Sequence, residues 1–361
     1  MVCQNDVWGF IMMYNPCYYL IMDRPSMNTR FTDIQALKGL KYFFLSSDGR
    51  LRLRKGVAKH IIDSHTHIGW GLLDDPLPEP TEYVFPCTNA PIDLSHYSAY
   101  DYTLPLIKRA RRETIRAVLA RGRKYHCSAS HLKRDLEDLR IMSAVVLAVD
   151  IFGKINSETI LKTAVQNPET FVPFISLHPR KTLNHLLIKK YVIRGARGMK
   201  IHPPMQLVRP NSRYVCSMME LATEYKLPVL FHCGHSPLSP KIHRRFSNME
   251  DYRNIASSYK DIPIILGHSG IDAWEEAVAI AKKYEHVYLE LSGQSPDVIK
   301  KMIKILGSDR LLFGSDWPYY PTALPLAKVL LATEGNEKAR EKILYTNINH
   351  LLQKHNAHEL G

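Results

Sequence analysis

The sequence predicts an α/β fold, a (β/α)₈ TIM barrel built as one large domain. Two observations predict it. From Ile61 onward, short apolar, β-branched runs alternate with longer helical patterns. The runs lack the strict polar alternation of a one-sided sheet, as strands buried on both faces do. Eight such units span about 250 residues, the usual size of a closed barrel.

The strand candidates are Ile61–Ser64, Ala144–Val149, Phe171–Ser176, Gly198–Ile201, Pro228–Phe231, Ile262–Leu266, Val287–Leu291 and Leu311–Phe313. Helical patterns at Ile160–Asn167, Tyr214–Tyr225, Ala273–Tyr284 and Pro296–Ile305 separate the later ones. Eight βα units in a row favour a barrel over an open, doubly wound sheet. The barrel is expected over residues 61–355, preceded by an extension over 1–60. Residues 1–26 are expected either to be irregular or to lie upstream of a start at Met27. The segment 69–103 is too long for a minimal βα connection, and it carries Pro76, Pro78, Pro80, Pro86 and Pro91. It leaves the first strand at the face where barrel active sites lie, so it reads as a lid insertion. Leu104–Lys124 then reads as a basic helix and Ser130–Met142 as a mixed one.

The chain has 361 residues, 45% hydrophobic and 23% charged, ample for a core. Its net charge of +13 is unevenly spread. Eight basic residues lie between Pro105 and Lys124 against one acid, Glu113, whereas Ile61 to His96 holds six acids and no Lys or Arg. No zinc-finger spacing or aromatic RNA-binding motif accompanies the charge, so no nucleic-acid partner is expected. No apolar run approaches the roughly 18 residues of a span, so no membrane partner is expected either. The six cysteines are scattered without a C-x-x-C pair. That argues against a disulfide framework and points to a reducing, cytoplasmic compartment. The expected partner is a small-molecule substrate, with a homodimer left open.

The chemistry-bearing residues sit where strands end. His65 and His67 close the first run, and residues two apart on a strand point to one side. His232 follows the fifth run, His268 the sixth and Asp316 the eighth. All five would converge on one barrel mouth. Neutral imidazoles with a carboxylate suit Zn²⁺ or a similar divalent ion, one per chain, with a position open for water. Asp63 reads either as the partner of a ligand histidine or as a hydrogen bond to backbone at the strand end. Glu290 points either into the barrel or toward the helices. Lys200, Arg197, Arg244 and Arg245 are cationic candidates for an anionic substrate group, and His202 shares a face with Lys200.

The string Ile62-Asp63-Ser64-His65-Thr66-His67-Ile68 resembles the opening motif of the amidohydrolase superfamily. Gly198-Met199-Lys200-Ile201-His202-Pro203, Phe231-His232-Cys233-Gly234, Gly267-His268-Ser269-Gly270 and Phe313-Gly314-Ser315-Asp316-Trp317-Pro318 resemble later motifs of its amidohydrolase-related branch. The resemblance covers about residues 61 to 352, in the family's order. It implies a metal held by His65, His67, His232 and Asp316, with His268 beside the metal. Asp316 and His268 would be the catalytic residues, and Lys200 and His202 would meet substrate. Binuclear members carry a carboxylated lysine near the position of Lys200, whereas this branch is usually mononuclear. The expected activity is hydrolysis of an amide, lactone or related carboxyl derivative. The alternative is non-oxidative decarboxylation, because the branch also contains decarboxylases.

Overall fold

The structure, a computed structural model, describes residues 29–68, 91–97, 128–151, 155–177, 185–235 and 241–354. Its strands are β1 (Arg30–Phe31), β2 (Phe43–Leu45), β3 (Leu51–Leu53), β4 (Ile62–Thr66), β5 (Ile92–Asp93), β6 (Ser143–Leu147), β7 (Phe171–Ile175), β8 (Gly198–Ile201), β9 (Val229–His232), β10 (Ile264–Gly267), β11 (Val287–Glu290) and β12 (Leu311–Leu312). Eight of them form one sheet in the order β4-β6-β7-β8-β9-β10-β11-β12. Every pairing in it is parallel. These are the eight strands expected from the sequence.

The sheet closes on itself just beyond β12. Ser64 N and Ser64 Oγ both donate to Phe313 O, at 2.9 and 2.7 Å. Asp316 N donates to His65 O at 2.8 Å, and His67 N donates to Trp317 O at 2.8 Å. The fold is a TIM barrel, and its seam runs through three of the residues expected to carry chemistry.

Alternation along the strands sorts the apolar side chains into two clusters. Ala144 and Val146 of β6 join the large cluster shared with the surrounding helices. Val145 and Leu147 join a smaller one with Ile62, Phe174, Leu230, Ile265 and Leu312. The second cluster also takes Ile348, Leu351 and Leu352 from the helix Asn347–Lys354. That helix plugs the end of the barrel where the strands begin, and the opposite end is left for polar side chains.

The helices between strands match their sequence patterns: Ser157–Gln166, Arg213–Glu224, Trp274–Lys283 and Pro296–Leu306. Serine caps start two of them. Ser212 Oγ accepts from Val215 N and Ser295 Oγ from Val298 N, satisfying amides that a first turn leaves unpaired. The mixed helix expected at Ser130–Met142 runs over Ala129–Asp138.

The described part of the N-terminal extension packs on the barrel. Leu37, Phe43 and Leu53 are fully buried in the large cluster, and Tyr42 Oη donates to Leu330 O at 3.2 Å. Most of the 69–103 segment, the basic stretch Leu104–Lys124 and residues 1–26 lie outside the described residues. Within the described residues, β5 pairs antiparallel with β1, tying 91–97 to the extension. No helix among the described residues is long and apolar enough to cross a membrane.

One expectation is corrected here. Arg197 precedes β8, so it stands at the plugged end and not at the mouth. Its Nη2 donates to Leu352 O at 2.9 Å, fastening the C-terminal helix.

Candidate active site

The strand that carries His65 and His67 is irregular where it matters. Asp63 pairs with Ala144 and Thr66 with Val146, so β4 spends three steps where β6 spends two. Such a bulge re-aims side chains near a barrel rim. Asp63 Oδ1 accepts from His65 N at 3.1 Å and from Ser315 N at 2.9 Å, clamping the two ends of the seam. Of the two readings of Asp63, the structure shows the bond to backbone.

His65 Nδ1 lies 2.7 Å from Glu290 Oε2, and His67 Nδ1 lies 3.0 Å from Leu147 O. Both partners are acceptors, so each ring carries its proton on Nδ1. Each Nε2 is then a bare lone pair. Both lone pairs face Asp316 Oδ1, at 3.4 Å from His65 and 3.6 Å from His67. The donor atoms of His65, His67 and Asp316 all lie within 4.8 Å of one another. Three acceptors confronting each other in a buried place repel unless a cation or a proton joins them. Here the nearest cationic group is Lys200, with Nζ 3.4 Å from His65 Nε2. The donor set therefore fits a divalent ion bound by imidazole and carboxylate. Burial, followed by the Lys200 charge, lowers the His67 pKa to about 3 and depresses His65 as well, which keeps both neutral as ligation requires. Burial lowers Lys200 itself to about 8, and burial and then Glu290 raise Asp316.

His268 and His232 form a second tier. Ser292 Oγ donates to Glu290 Oε2 at 2.9 Å, so its oxygen is left to accept from His268 Nδ1 at 2.8 Å. His268 Nε2 must then accept from His232 Nδ1, at 3.1 Å. His202 stacks on His232 with ring centroids 4.1 Å apart, and its Nδ1 accepts from Met205 N. Of the four expected metal ligands, the structure brings three within mutual reach and joins His232 to them through His268.

Two glycines make the approach geometrically feasible. A Cβ on Gly234 would lie 2.0 Å from Gly270 O, and Gly234 has φ +85°. A Cβ on Gly314 would lie 2.3 Å from Glu290 Oε1, so only glycine leaves room for that carboxylate. Asp316 and His268 themselves have φ of +57° and +55°. For non-glycine residues such backbone is costly and concentrates at functional sites. Trp317, fully buried, donates Nε1 to Asp135 Oδ2 at 2.8 Å and braces the turn that holds Asp316.

A family model described as Amidohydrolase matches residues 62–353. The chain belongs to the amidohydrolase family. Solved structures support the same fold for this chain. A TIM-barrel protein of Bordetella bronchiseptica is 16% identical, with TM-score 0.57 over 82% of this chain and 99% of its own. A probable 2-pyrone-4,6-dicarboxylic acid hydrolase of Acinetobacter baumannii is 13% identical, with TM-score 0.53 over 81% and 99%. A 5-carboxyvanillate decarboxylase of Novosphingobium aromaticivorans, complexed with manganese, is 13% identical, with TM-score 0.54 over 84% and 98%. Curated proteins offer no match to the chain.

Of the two readings of Glu290 the structure shows the one into the barrel, against His65, whereas Ser292 is a site residue that the sequence did not signal. Lys200 is fully buried and faces the ligand trio. Arg244 and Arg245 are exposed on the short helix Lys241–Phe246.

Proposed function

We propose that the chain is a metal-dependent hydrolase that cleaves an amide, lactone or related carboxyl derivative of a small substrate. The observation that carries the reading is the confrontation of three acceptors, His65 Nε2, His67 Nε2 and Asp316 Oδ1. These residues, with His232 as fourth ligand, would hold one divalent ion of the Zn²⁺ or Mn²⁺ kind. The ion supplies Lewis acidity, which polarises a carbonyl and brings the pKa of water to about 7. Asp316 takes the proton of the attacking water and delivers it to the leaving group. His268, its tautomer set through Ser292 and Glu290, accepts from His232 Nδ1 and so holds His232 with its Nε2 free for the ion. Lys200 offsets the negative charge that builds up on the substrate oxygen. Hydrolysis consumes the activated water directly, which favours removing a proton from water over delivering one to carbon. Decarboxylation needs the latter step, so hydrolysis is the preferred reading.

The test is a panel assay of the metal-loaded protein. It includes 2-pyrone-4,6-dicarboxylate, 5-carboxyvanillate, simple lactones and anilides. Ring opening or amide cleavage that requires Asp316 is the expected result. Release of CO₂ with no hydrolysis of any panel compound would overturn the hydrolase reading in favour of a lyase. Metal analysis should give one equivalent, lost in Asp316→Ala.

A further inference from the structure

The helix Ala323–Ala332 is buried along its whole length, and one of its ten residues is a lysine. Lys328 is 1% exposed. Its Nζ donates to His96 O and to Gly293 O, at 2.9 Å each. The first acceptor lies in the described part of the insertion after β4. The second lies in the loop after β11, three residues beyond Glu290. One side-chain amine thus ties two mouth loops together from behind. Asp93, also buried, is the nearby anion, and it is itself held by Arg30 and Ser95.

The residue next to His96 is Tyr97. Its ring packs against Gly293, where a Cβ would stand 2.7 Å from Cε2 and 3.0 Å from Oη. Burial, and after it Tyr320 and the carboxylates of Asp316, Glu290 and Asp272, hold the phenol well above the ordinary tyrosine range. The hydroxyl therefore stays protonated and can only donate toward an anionic partner.

We propose that Lys328 is a positioning residue whose grip on His96 O and Gly293 O holds the Tyr97 hydroxyl over the mouth as a donor to a substrate oxygen. The proposal rests on this mouth being the reaction centre and is independent of which bond is broken there.

The experiment combines hydrogen exchange with a double-mutant cycle. Lys328→Met should leave metal content unchanged and raise the exchange of segment 92–97 at least tenfold. On whichever panel compound reacts fastest, Lys328→Met and Tyr97→Phe should each lower kcat about 10–100-fold, with KM within threefold. The double variant should be no slower than the worse single, because both remove one contact. Gly293→Ala, which leaves Lys328 intact and displaces the Tyr97 ring, should lower kcat to the same degree. Multiplicative losses in the double variant, or wild-type kcat in Gly293→Ala, would overturn the proposal. So would unchanged exchange of 92–97 in Lys328→Met, a readout that needs no turnover and stands apart from the hydrolase reading.

Discussion

Glu290 Oε2 lies 2.7 Å from His65 Nδ1, and the same oxygen accepts from Ser292 Oγ at 2.9 Å and from His268 N at 3.0 Å. One carboxylate thereby fixes the tautomers of both tiers of histidines. It does so directly at His65 and by way of Ser292 at His268 and His232. Carboxylate partners of this kind orient ligand imidazoles and raise their basicity.

Glu290→Gln should weaken metal binding about 10–100-fold, because an amide can turn its NH₂ toward His65 and favour the wrong tautomer. Competition with a zinc chelator checks this. Affinity within twofold of wild type would show that Glu290 does not govern the His65 tautomer.

His268→Asn should keep one equivalent of metal and lose about 10²–10⁴ in rate, since His268 meets the site through Glu290 and Ser292 and is absent from the trio facing Asp316. Metal analysis alongside kinetics separates the outcomes. A variant that comes out of purification without metal would place His268 among the ligands.

Lys328 makes stability depend on pH. Burial lowers its pKa from 10.5 to about 7, with Asp93 opposing the shift. Between pH 7 and 10.5 the unfolded chain holds a proton at this residue that the folded chain has released. The cost of burying the charge is therefore fully present below pH 7 and is relieved as pH rises toward 10.5, at up to about 1.4 kcal/mol per pH unit. The difference in unfolding free energy between wild type and Lys328→Met should change with this sign across that window. Parallel curves for the two proteins would refute it.

Gly234→Ala should destabilise by roughly 2–4 kcal/mol, through a positive φ and a collision with Gly270 O. Because Gly234 and Gly270 follow His232 and His268 by two residues each, the variant should also disturb the contact between the two rings. Denaturant melts and metal titration measure the two effects. Normal stability would mean the backbones can part at little cost.

The barrel was legible because its strands are buried on both faces, which leaves short continuous apolar runs such as Ile264–Gly267, each followed by polar or glycine residues and then by a helical pattern. The mouth was legible because histidines and an aspartate end those runs. What sequence could not fix was direction. Glu290 sits between Leu289 and Leu291, and when both faces of a strand are buried, alternation does not say which side is the interior. Arg197 was put at the wrong end because the residue before a short strand and the residue after it carry the same local signal. Asp63 could serve a histidine ring or the backbone, and only the approach of Ser315 across the seam decides between them. Lys328 left a readable trace that went unused: a single charge in an otherwise apolar helix has no wet face to occupy.

The seam has a consequence for how the protein is made. His65 and Asp316 are joined by backbone hydrogen bonding across it, yet about 250 residues of chain separate them. During synthesis the two histidines leave the ribosome early and wait, with no carboxylate opposite them, until nearly the whole chain has followed. A nascent chain cannot complete the trio, so under the proposed ligand set tight capture of a metal ion would report that the chain has emerged past Trp317 and that the first strand has found the last.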